Sequence, residues 1–185
     1  MKTTIKIFIL SSIMAATITS CKKDFFKLPP YNGSPANGTI SSDADMNVLA
    51  NGMYAGLRSV NLYGRALPVK GDLAADNVYL KTGNSGRHLV FRDFNETTAN
   101  GEAAGAWNDA YATIKDANQI INSTLTSTPV VDELKGEAYA VRALMHFELV
   151  RNFATPYTVD QNAAGIPIVT SYNQSALPAR NTVKE

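Results

Sequence analysis

The chain has 185 residues, and its 17 Lys and Arg against 16 Asp and Glu leave a formal net charge of +1 at pH 7. This balance excludes the strongly basic surface with which proteins hold nucleic acid, so we expect no nucleic-acid partner. A single cysteine excludes a disulfide framework within the chain. With 45% hydrophobic residues, the chain can bury the core of one domain.

The first 20 residues have the layout of a secretory signal peptide. Lys2 and Lys6 flank an apolar run over residues 5–18, which is shorter than the roughly 20 residues that a membrane-spanning helix needs. The run ends in Ile-Thr-Ser-Cys, which resembles the lipobox of bacterial lipoproteins. That resemblance implies cleavage of residues 1–20 and lipidation of Cys21. The alternative is an ordinary signal peptide that happens to contain a cysteine.

Residues 21–41 are predicted to form a lipidated tether. Proline and glycine are frequent there and no periodicity is present, which is typical of an extended linker. A helical domain of residues 42–185 follows.

The first predicted helix covers residues 43–60. Ser42 and Asp45 have the spacing of a capping box, the signal of a helix start. Gly52 and Gly56 lie inside this helix, where each glycine costs up to about 1 kcal/mol relative to alanine. We therefore expect a neighbouring helix to approach closely at both glycines.

A break around Pro68 is predicted next, over residues 61–69, with a short helix or a string of turns over residues 71–80. Residues 81–105 are then the least regular stretch, and so long a loop in a compact domain is often functional. The loop carries Arg87, Phe94 and Asn95. Guanidinium and amide groups can bind adjacent sugar hydroxyls while an aromatic ring packs on the C–H face. These three residues are therefore candidate ligand-binding residues, and the alternative is a surface loop without a ligand.

Residues 107–153 predict two antiparallel helices, because only a short Thr/Ser/Pro break separates two periodic segments. Thr128 followed by Pro129 is a hydroxyl cap with proline at the first helical position. The stripe of the first helix contains Trp107, Tyr111, Ile114, Asn118, Ile121 and Leu125. The stripe of the second contains Leu134, Ala138, Val141, Met145 and Leu149, widened by Ala140, Leu144 and Phe147.

The remaining residues, 154–181, are predicted to be irregular, with at best an edge segment around Pro167. Thr182 and Glu185 then repeat the capping-box spacing. This signal predicts the start of a further helix, so we expect the chain to be the N-terminal part of a longer protein.

Motifs of common enzyme classes are absent from the sequence: it contains no phosphate loop, dinucleotide glycine pattern, metal-ligand cluster or serine elbow. His88 and His146 are isolated, and His146 is interpreted as a structural residue. We therefore predict no catalytic residues, no metal and no cofactor.

Short motifs with a specific order and spacing extend from residue 51 to residue 183. They are Asn51-Gly52-Met53-Tyr54, Gly71-Asp72-Leu73-Ala74-Ala75-Asp76-Asn77-Val78, Trp107 with Tyr111 and Ala117-Asn118, Gly136-Glu137-Ala138-Tyr139 with Arg142-Ala143-Leu144, Leu149-Val150-Arg151-Asn152-Phe153, Pro156-Tyr157-Thr158, Gly165-Ile166-Pro167 and Arg180-Asn181-Thr182-Val183. Together with the lipobox, they resemble the SusD/RagB family of nutrient-binding surface lipoproteins of Bacteroidota.

The resemblance implies a mainly α fold of tetratricopeptide-like helix pairs with long irregular loops. It implies a lipoprotein of the cell outer membrane that captures oligosaccharides and delivers them to a SusC-like TonB-dependent transporter. It implies neither enzymatic activity nor a cofactor. Two alternatives stay open, a lipoprotein for peptide uptake and a lipoprotein whose helices only scaffold a membrane complex.

Overall fold

The computed structural model describes residues 40–97, 99–173 and 175–185. In these ranges it contains α1 (Asp43–Leu57), α2 (Ala66–Ala74), α3 (Leu89–Arg92), α4 (Gly101–Ile121) and α5 (Pro129–Phe153). No strand forms in these ranges, and a single antiparallel bridge joins Ala164 to Thr182. The mainly α prediction is confirmed. The predicted signal peptide, Cys21 and the tether up to residue 39 lie outside the described residues.

Both hydroxyl caps that the sequence predicts are formed. The Ser42 side chain accepts a hydrogen bond from the backbone N–H of Asp45 at 3.1 Å, and α1 begins at the next residue. The Thr128 hydroxyl accepts from Val131 N–H, also at 3.1 Å, and Pro129 occupies the first position of α5. Each cap satisfies one of the N–H groups that a helix start leaves without a partner.

The boundaries of α2 and α4 differ from the prediction. α2 begins at Ala66 rather than near residue 71, because Pro68 lies in its first turn, where the missing N–H has no helical acceptor to lose. α4 begins at Gly101 rather than near Trp107. The side chain of Asn100 caps it by accepting from Glu102 N–H at 2.9 Å. The irregular stretch is therefore shorter than predicted, and α3 lies inside it.

α4 and α5 form the predicted antiparallel hairpin, joined by residues 122–128. The Trp107 ring, early in α4, meets the Phe153 ring at the end of α5, with 5.1 Å between centroids. Further along, Arg142 Nη1 of α5 donates to Asn118 Oδ1 near the end of α4 at 2.8 Å. The two helices must therefore run in opposite directions.

Helix α1 packs against both helices of the hairpin, and the core lies between the three. The buried apolar side chains of this core include Met46, Ala50, Met53, Leu62, Ala110, Ile114, Ala117, Ile120, Leu134, Ala138, Val141, Met145, Leu149 and Ile166.

The predicted helix faces are only partly right. The five-residue stripe of α5 from Leu134 to Leu149 is buried, but Ala140, Leu144 and Phe147 are exposed. On α4, Trp107 and Tyr111 are only partly buried at the edge of the core. The α4 face at the centre of the core instead includes the small residues Ala106, Ala110, Thr113 and Ala117. Small side chains occupy that face because α4 packs against α1 and α5 together.

The expected close approach to α1 exists at Gly56 but not at Gly52. A Cβ on Gly56 would lie 2.7 Å from Thr113 Oγ1 of α4, whereas a Cβ on Gly52 would meet no atom within 4 Å. Gly56→Ala is therefore expected to lower the free energy of unfolding by about 1–3 kcal/mol through overpacking. Gly52→Ala, the matched control in the same helix, is expected to raise it by about 0.5–1 kcal/mol. Urea unfolding of the two variants measures both effects, and equal losses would contradict the close approach.

Glu148 is the buried carboxylate of α5. It accepts hydrogen bonds from the Tyr63 hydroxyl at 3.0 Å and from Arg151 Nη2 at 2.8 Å, one helical turn further on. Burial and the bond to Glu148 raise the pKa of Tyr63 to about 12. These contacts join the loop after α1 to the end of α5.

Residues 165–170, which we call the strap, run across the α4–α5 hairpin and are held by its side chains. The Tyr111 hydroxyl donates to Pro167 O at 2.8 Å, and Asn118 Nδ2 donates to Val169 O at 2.9 Å. His146 Nδ1 lies 2.9 Å from Arg142 O, and His146 Nε2 accepts from Val169 N–H at 3.1 Å. These bonds agree with the structural interpretation of His146, because Nε2 ties the strap to α5 while Nδ1 bonds to the backbone of α5 itself.

Acid is expected to destabilise the fold through His146. Burial of the imidazole lowers the pKa of His146 below its ordinary value of 6.5. The unfolded chain therefore takes up a proton at higher pH than the folded chain. The stability that neutral His146 contributes is complete above about pH 6.5 and is lost as the pH falls from there through the lowered pKa. Urea unfolding between about pH 5 and 7 should show this slope in the wild type and a flatter one in His146→Gln. Identical slopes would contradict the assignment.

The Glu185 carboxylate accepts from the backbone N–H and the hydroxyl of Thr182 at 2.8 and 2.9 Å. One half of the predicted capping box is thus formed. Residues 183–184 form a turn, and the helix that the capping box predicts stays a prediction.

Candidate ligand-binding site

The loop that carries the predicted ligand residues is organised around α3. His88, which precedes this single turn, and Phe94, which follows it, both have left-handed backbone conformations, with φ of 60° and 49°. Left-handed backbone is uncommon for residues other than glycine and is frequent at functional sites. The His88 ring is buried, stacks on Phe91 at 5.9 Å and places Nδ1 3.2 Å from Glu102 Oε2. These contacts fix the loop to the first turn of α4.

All three predicted ligand residues are exposed. Phe94 is 74% exposed, and Arg87 and Asn95 are also at the surface. Their backbones are nevertheless fixed, since Arg87 N–H donates to Asn84 Oδ1 at 2.9 Å and Asn95 N–H donates to Val90 O at 3.0 Å. The backbone is therefore preorganised, and the exposed side chains are accessible to a ligand but would lose rotamer freedom on binding.

The three residues do not form one cluster along the chain. Arg87 precedes α3, whereas Phe94 and Asn95 follow it, and a helix of four residues is about 6 Å long. Arg92 on α3 is not free for a ligand, because its guanidinium holds the Asp93 carboxylate at 2.7 and 3.0 Å. This contact lowers the pKa of the Asp93 carboxyl group. The predicted ligand roles of Arg87, Phe94 and Asn95 stay predictions.

A cavity of about 430 Å³ lies beside the loop, and we call it the Phe91 cleft. Its lining includes Lys70 of α2, Phe91 of α3, Glu96, Trp107 of α4 and Phe153 of α5. A smaller cavity of about 150 Å³ shares Lys70, Phe91 and Glu96 with this cleft and adds Phe94. The cleft therefore extends toward a predicted ligand residue, and its volume lies within the range of small-molecule sites.

The Phe91 cleft combines aromatic rings with one ion pair. Lys70 Nζ lies 5.4 Å from the centre of the Phe91 ring and 2.9 Å from Glu96 Oε1. Phe91 is only 5% exposed, so the partly buried rings of Trp107 and Phe153 are the ones that a ligand could contact. Rings next to charged hydrogen-bonding groups suit a sugar better than a purely apolar ligand. Sequence reasoning missed this cleft, because it placed Trp107 on the apolar stripe of a helix and had no way to place Lys70 beside Glu96. The spacing of Phe91 and Phe94 in an irregular loop was the available signal.

The sequence of the whole chain, rather than the cleft, is what resembles known proteins. A family model described as starch-binding and associating with the outer membrane matches residues 24–185. The chain belongs to the SusD-like family. The SusD-like protein P2 of Formosa agariphila is 34% identical over 126 residues, which are 64% of this chain and 24% of that relative. This SusD-like chain therefore matches about a quarter of the length of the relative.

The family assignment confirms the resemblance that the sequence motifs carry. In the described parts of this SusD-like chain, none of the helices combines the length and hydropathy that a bilayer crossing requires. Within the same ranges, no three His, Cys, Asp or Glu side chains are grouped as metal ligands.

Proposed function

We propose that this SusD-like chain belongs to an outer-membrane lipoprotein that captures oligosaccharides and delivers them to a SusC-like TonB-dependent transporter. The observation that carries the proposal is the match of residues 24–185 to a family described as starch-binding and associating with the outer membrane. The relative from Formosa agariphila supports the family but extends far beyond the matched region. The ligand, the transporter and the lipid anchor at Cys21 are all parts of the proposal.

Capture of a glycan would use the loop around α3. The exposed Phe94 ring offers a flat face for sugar C–H groups, and the neighbouring Asn95 amide offers a donor and an acceptor for hydroxyls. The Phe91 cleft continues behind Phe94 with the Lys70–Glu96 pair. Binding of this kind needs no reacting group, which agrees with a protein that binds and does not catalyse.

Calorimetric titration of the full-length lipoprotein in detergent with maltoheptaose and a panel of other oligosaccharides tests the binding. Phe94→Ala combined with Asn95→Ala is expected to weaken the binding of the preferred glycan about tenfold, which corresponds to about 1.4 kcal/mol. Tyr79→Ala is the matched control, since Tyr79 is also an exposed ring but lies outside the loop and the cleft. Unchanged affinity in the double variant would show that Phe94 and Asn95 do not bind the glycan.

Anchoring and delivery are tested in cells. Cys21→Ala is expected to move the protein from the outer-membrane fraction to a soluble fraction, and the wild type is expected to co-purify with a β-barrel transporter. A wild type that binds no glycan, together with a deletion strain that grows normally on every glycan tested, would overturn the proposed function.

A further inference from the structure

A second cavity of about 580 Å³ also borders Trp107. It lies between α4 on one side and the strap with residues 171–173 and 176–178 on the other. We call it the Tyr172 groove. Trp107, Asn108, Tyr111 and Lys115 line it from α4, and Tyr172 and Leu177 line it from the opposite wall. It shares only Trp107 with the Phe91 cleft. The groove is thus separate from the loop that carries Phe94.

Hydrogen bonds hold the wall of the groove that the strap forms. Tyr111, one of its lining residues, holds Pro167 O of the strap at 2.8 Å, and Asn118 holds Val169 O at 2.9 Å. Pro167 and Val169 themselves line the groove. Because these contacts exist before any ligand arrives, a ligand would not have to order this wall, and less conformational entropy would oppose binding.

The rims of the groove expose rings and amides. Tyr172 is 47% exposed and Leu177 is 98% exposed, so both side chains are accessible to a ligand. Asn108 and Asn173 are exposed at its edges. The charge of the one lysine in the lining, Lys115, is offset by Asp116, whose Oδ1 lies 3.3 Å from Nζ.

This chemistry distinguishes between possible ligands. A phosphate or another anion would need cationic groups without a partner, and Lys115 is paired. A fatty chain would use the rings but gain nothing from the amides of Asn108 and Asn173, which stay hydrated at the edges of the groove. A neutral sugar uses both features, since the aromatic rings contact its C–H faces and its hydroxyls can bind the Asn108 amide and Asn173 Nδ2. Asn173 Oδ1 already accepts from Ser175 N–H at 3.0 Å.

We infer that the Tyr172 groove is a second carbohydrate-binding site, which takes neutral hexose units independently of the loop around α3. The inference rests on the proposed function, because the family description of starch binding supports a glycan as the occupant. With two sites on either side of Trp107, one chain would hold two short oligosaccharides or two stretches of a long one.

Calorimetry of the full-length lipoprotein in detergent with a short probe, maltotriose, and with the preferred glycan from the panel tests this inference. The wild type is expected to bind about two equivalents. Tyr172→Ala and Phe94→Ala are each expected to weaken one of the two binding events by up to about tenfold and to leave the other unchanged, and the double variant is expected to weaken both. Tyr157→Ala is the control, as an exposed ring that lines neither cavity. Melting temperatures near that of the wild type would show that the variants fold.

Three results would overturn the inference. If Tyr172→Ala binds as the wild type does while Phe94→Ala loses binding, the groove is not a sugar site and the proposed function stands. If Tyr172→Ala lowers the melting temperature or releases the transporter without changing glycan binding, another part of the protein or a partner occupies the groove. If the wild type binds no glycan, the inference fails, and the proposed function fails with it when the deletion strain also grows normally on every glycan tested.

Discussion

Replacing Asn118 with leucine is expected to lower the free energy of unfolding by about 2–4 kcal/mol. Asn118 is 0% exposed, accepts from Arg142 Nη1 at 2.8 Å and donates to Val169 O at 2.9 Å. Leucine fills nearly the same volume but leaves a guanidinium N–H and a carbonyl without partners. Each unsatisfied buried group costs about 1–3 kcal/mol. Urea unfolding of the purified protein measures the loss.

Asn122→Leu is the matched control for Asn118→Leu. Asn122 lies one helical turn further on, after α4, and makes the same kind of bond to the strap, from Nδ2 to Thr170 O at 3.0 Å. This bond is exposed, so water can replace it, and we expect a loss below about 1 kcal/mol. Equal losses in the two variants would show that burial does not determine the contribution of these bonds. Amide hydrogen exchange at Val169 should quicken in Asn118→Leu more than in Asn122→Leu.

The role of Asn118 marks the limit of what the sequence predicts. Its position on an otherwise apolar stripe was recognisable from spacing alone. Its two partners were not recognisable, because Arg142 is 24 residues away and Val169 is 51 residues away. Such pairings depend on how the hairpin and the strap pack together, which no local pattern contains.

Helix starts were predicted well where a local signal determines them. The caps at Ser42 and Thr128 act on residues three positions away, so the whole interaction is written in a short stretch of sequence. The predicted start of α4 was wrong because the local signal there was ambiguous. The Asn100 cap lies in a segment whose glycine and polar residues resemble a loop, and six helical residues precede the Trp107 stripe.

The candidate site was predicted at the level of the loop and not of the cleft. The composition of residues 81–105 indicated a binding loop, and the exposure of Phe94 agrees with that prediction. The Phe91 cleft needed tertiary information, since Lys70 and Glu96 pair across 26 residues. The Tyr172 groove likewise depends on the strap, which brings Tyr172 next to α4.

Met145→Ala is expected to lower the free energy of unfolding by about 3 kcal/mol, within the range of methionine truncations in well-packed cores. Met145 is 0% exposed and belongs to the core that α5 shares with α1 and α4. Phe147 is the matched control, two residues along the same helix. It is 57% exposed and contacts Arg151, whose guanidinium carbon lies 5.7 Å from the centre of its ring. Phe147→Ala should therefore cost less than about 1 kcal/mol, although phenylalanine is the larger side chain.

Comparing the losses of Met145→Ala and Phe147→Ala shows which face of α5 is turned toward the core. Periodicity alone assigned Met145 and Phe147 to one widened apolar face. In the structure Met145 is buried and Phe147 is not, and the neighbouring Glu148 is buried on the same side as Met145. If urea unfolding gave Phe147→Ala the larger loss, Phe147 would face apolar contacts in the folded protein. A larger loss in Met145→Ala would instead confirm that the exposed ring of Phe147 lies outside the three-helix core. The Tyr63–Glu148 bond provides an independent check, because the same rotation that buries Met145 directs Glu148 toward Tyr63.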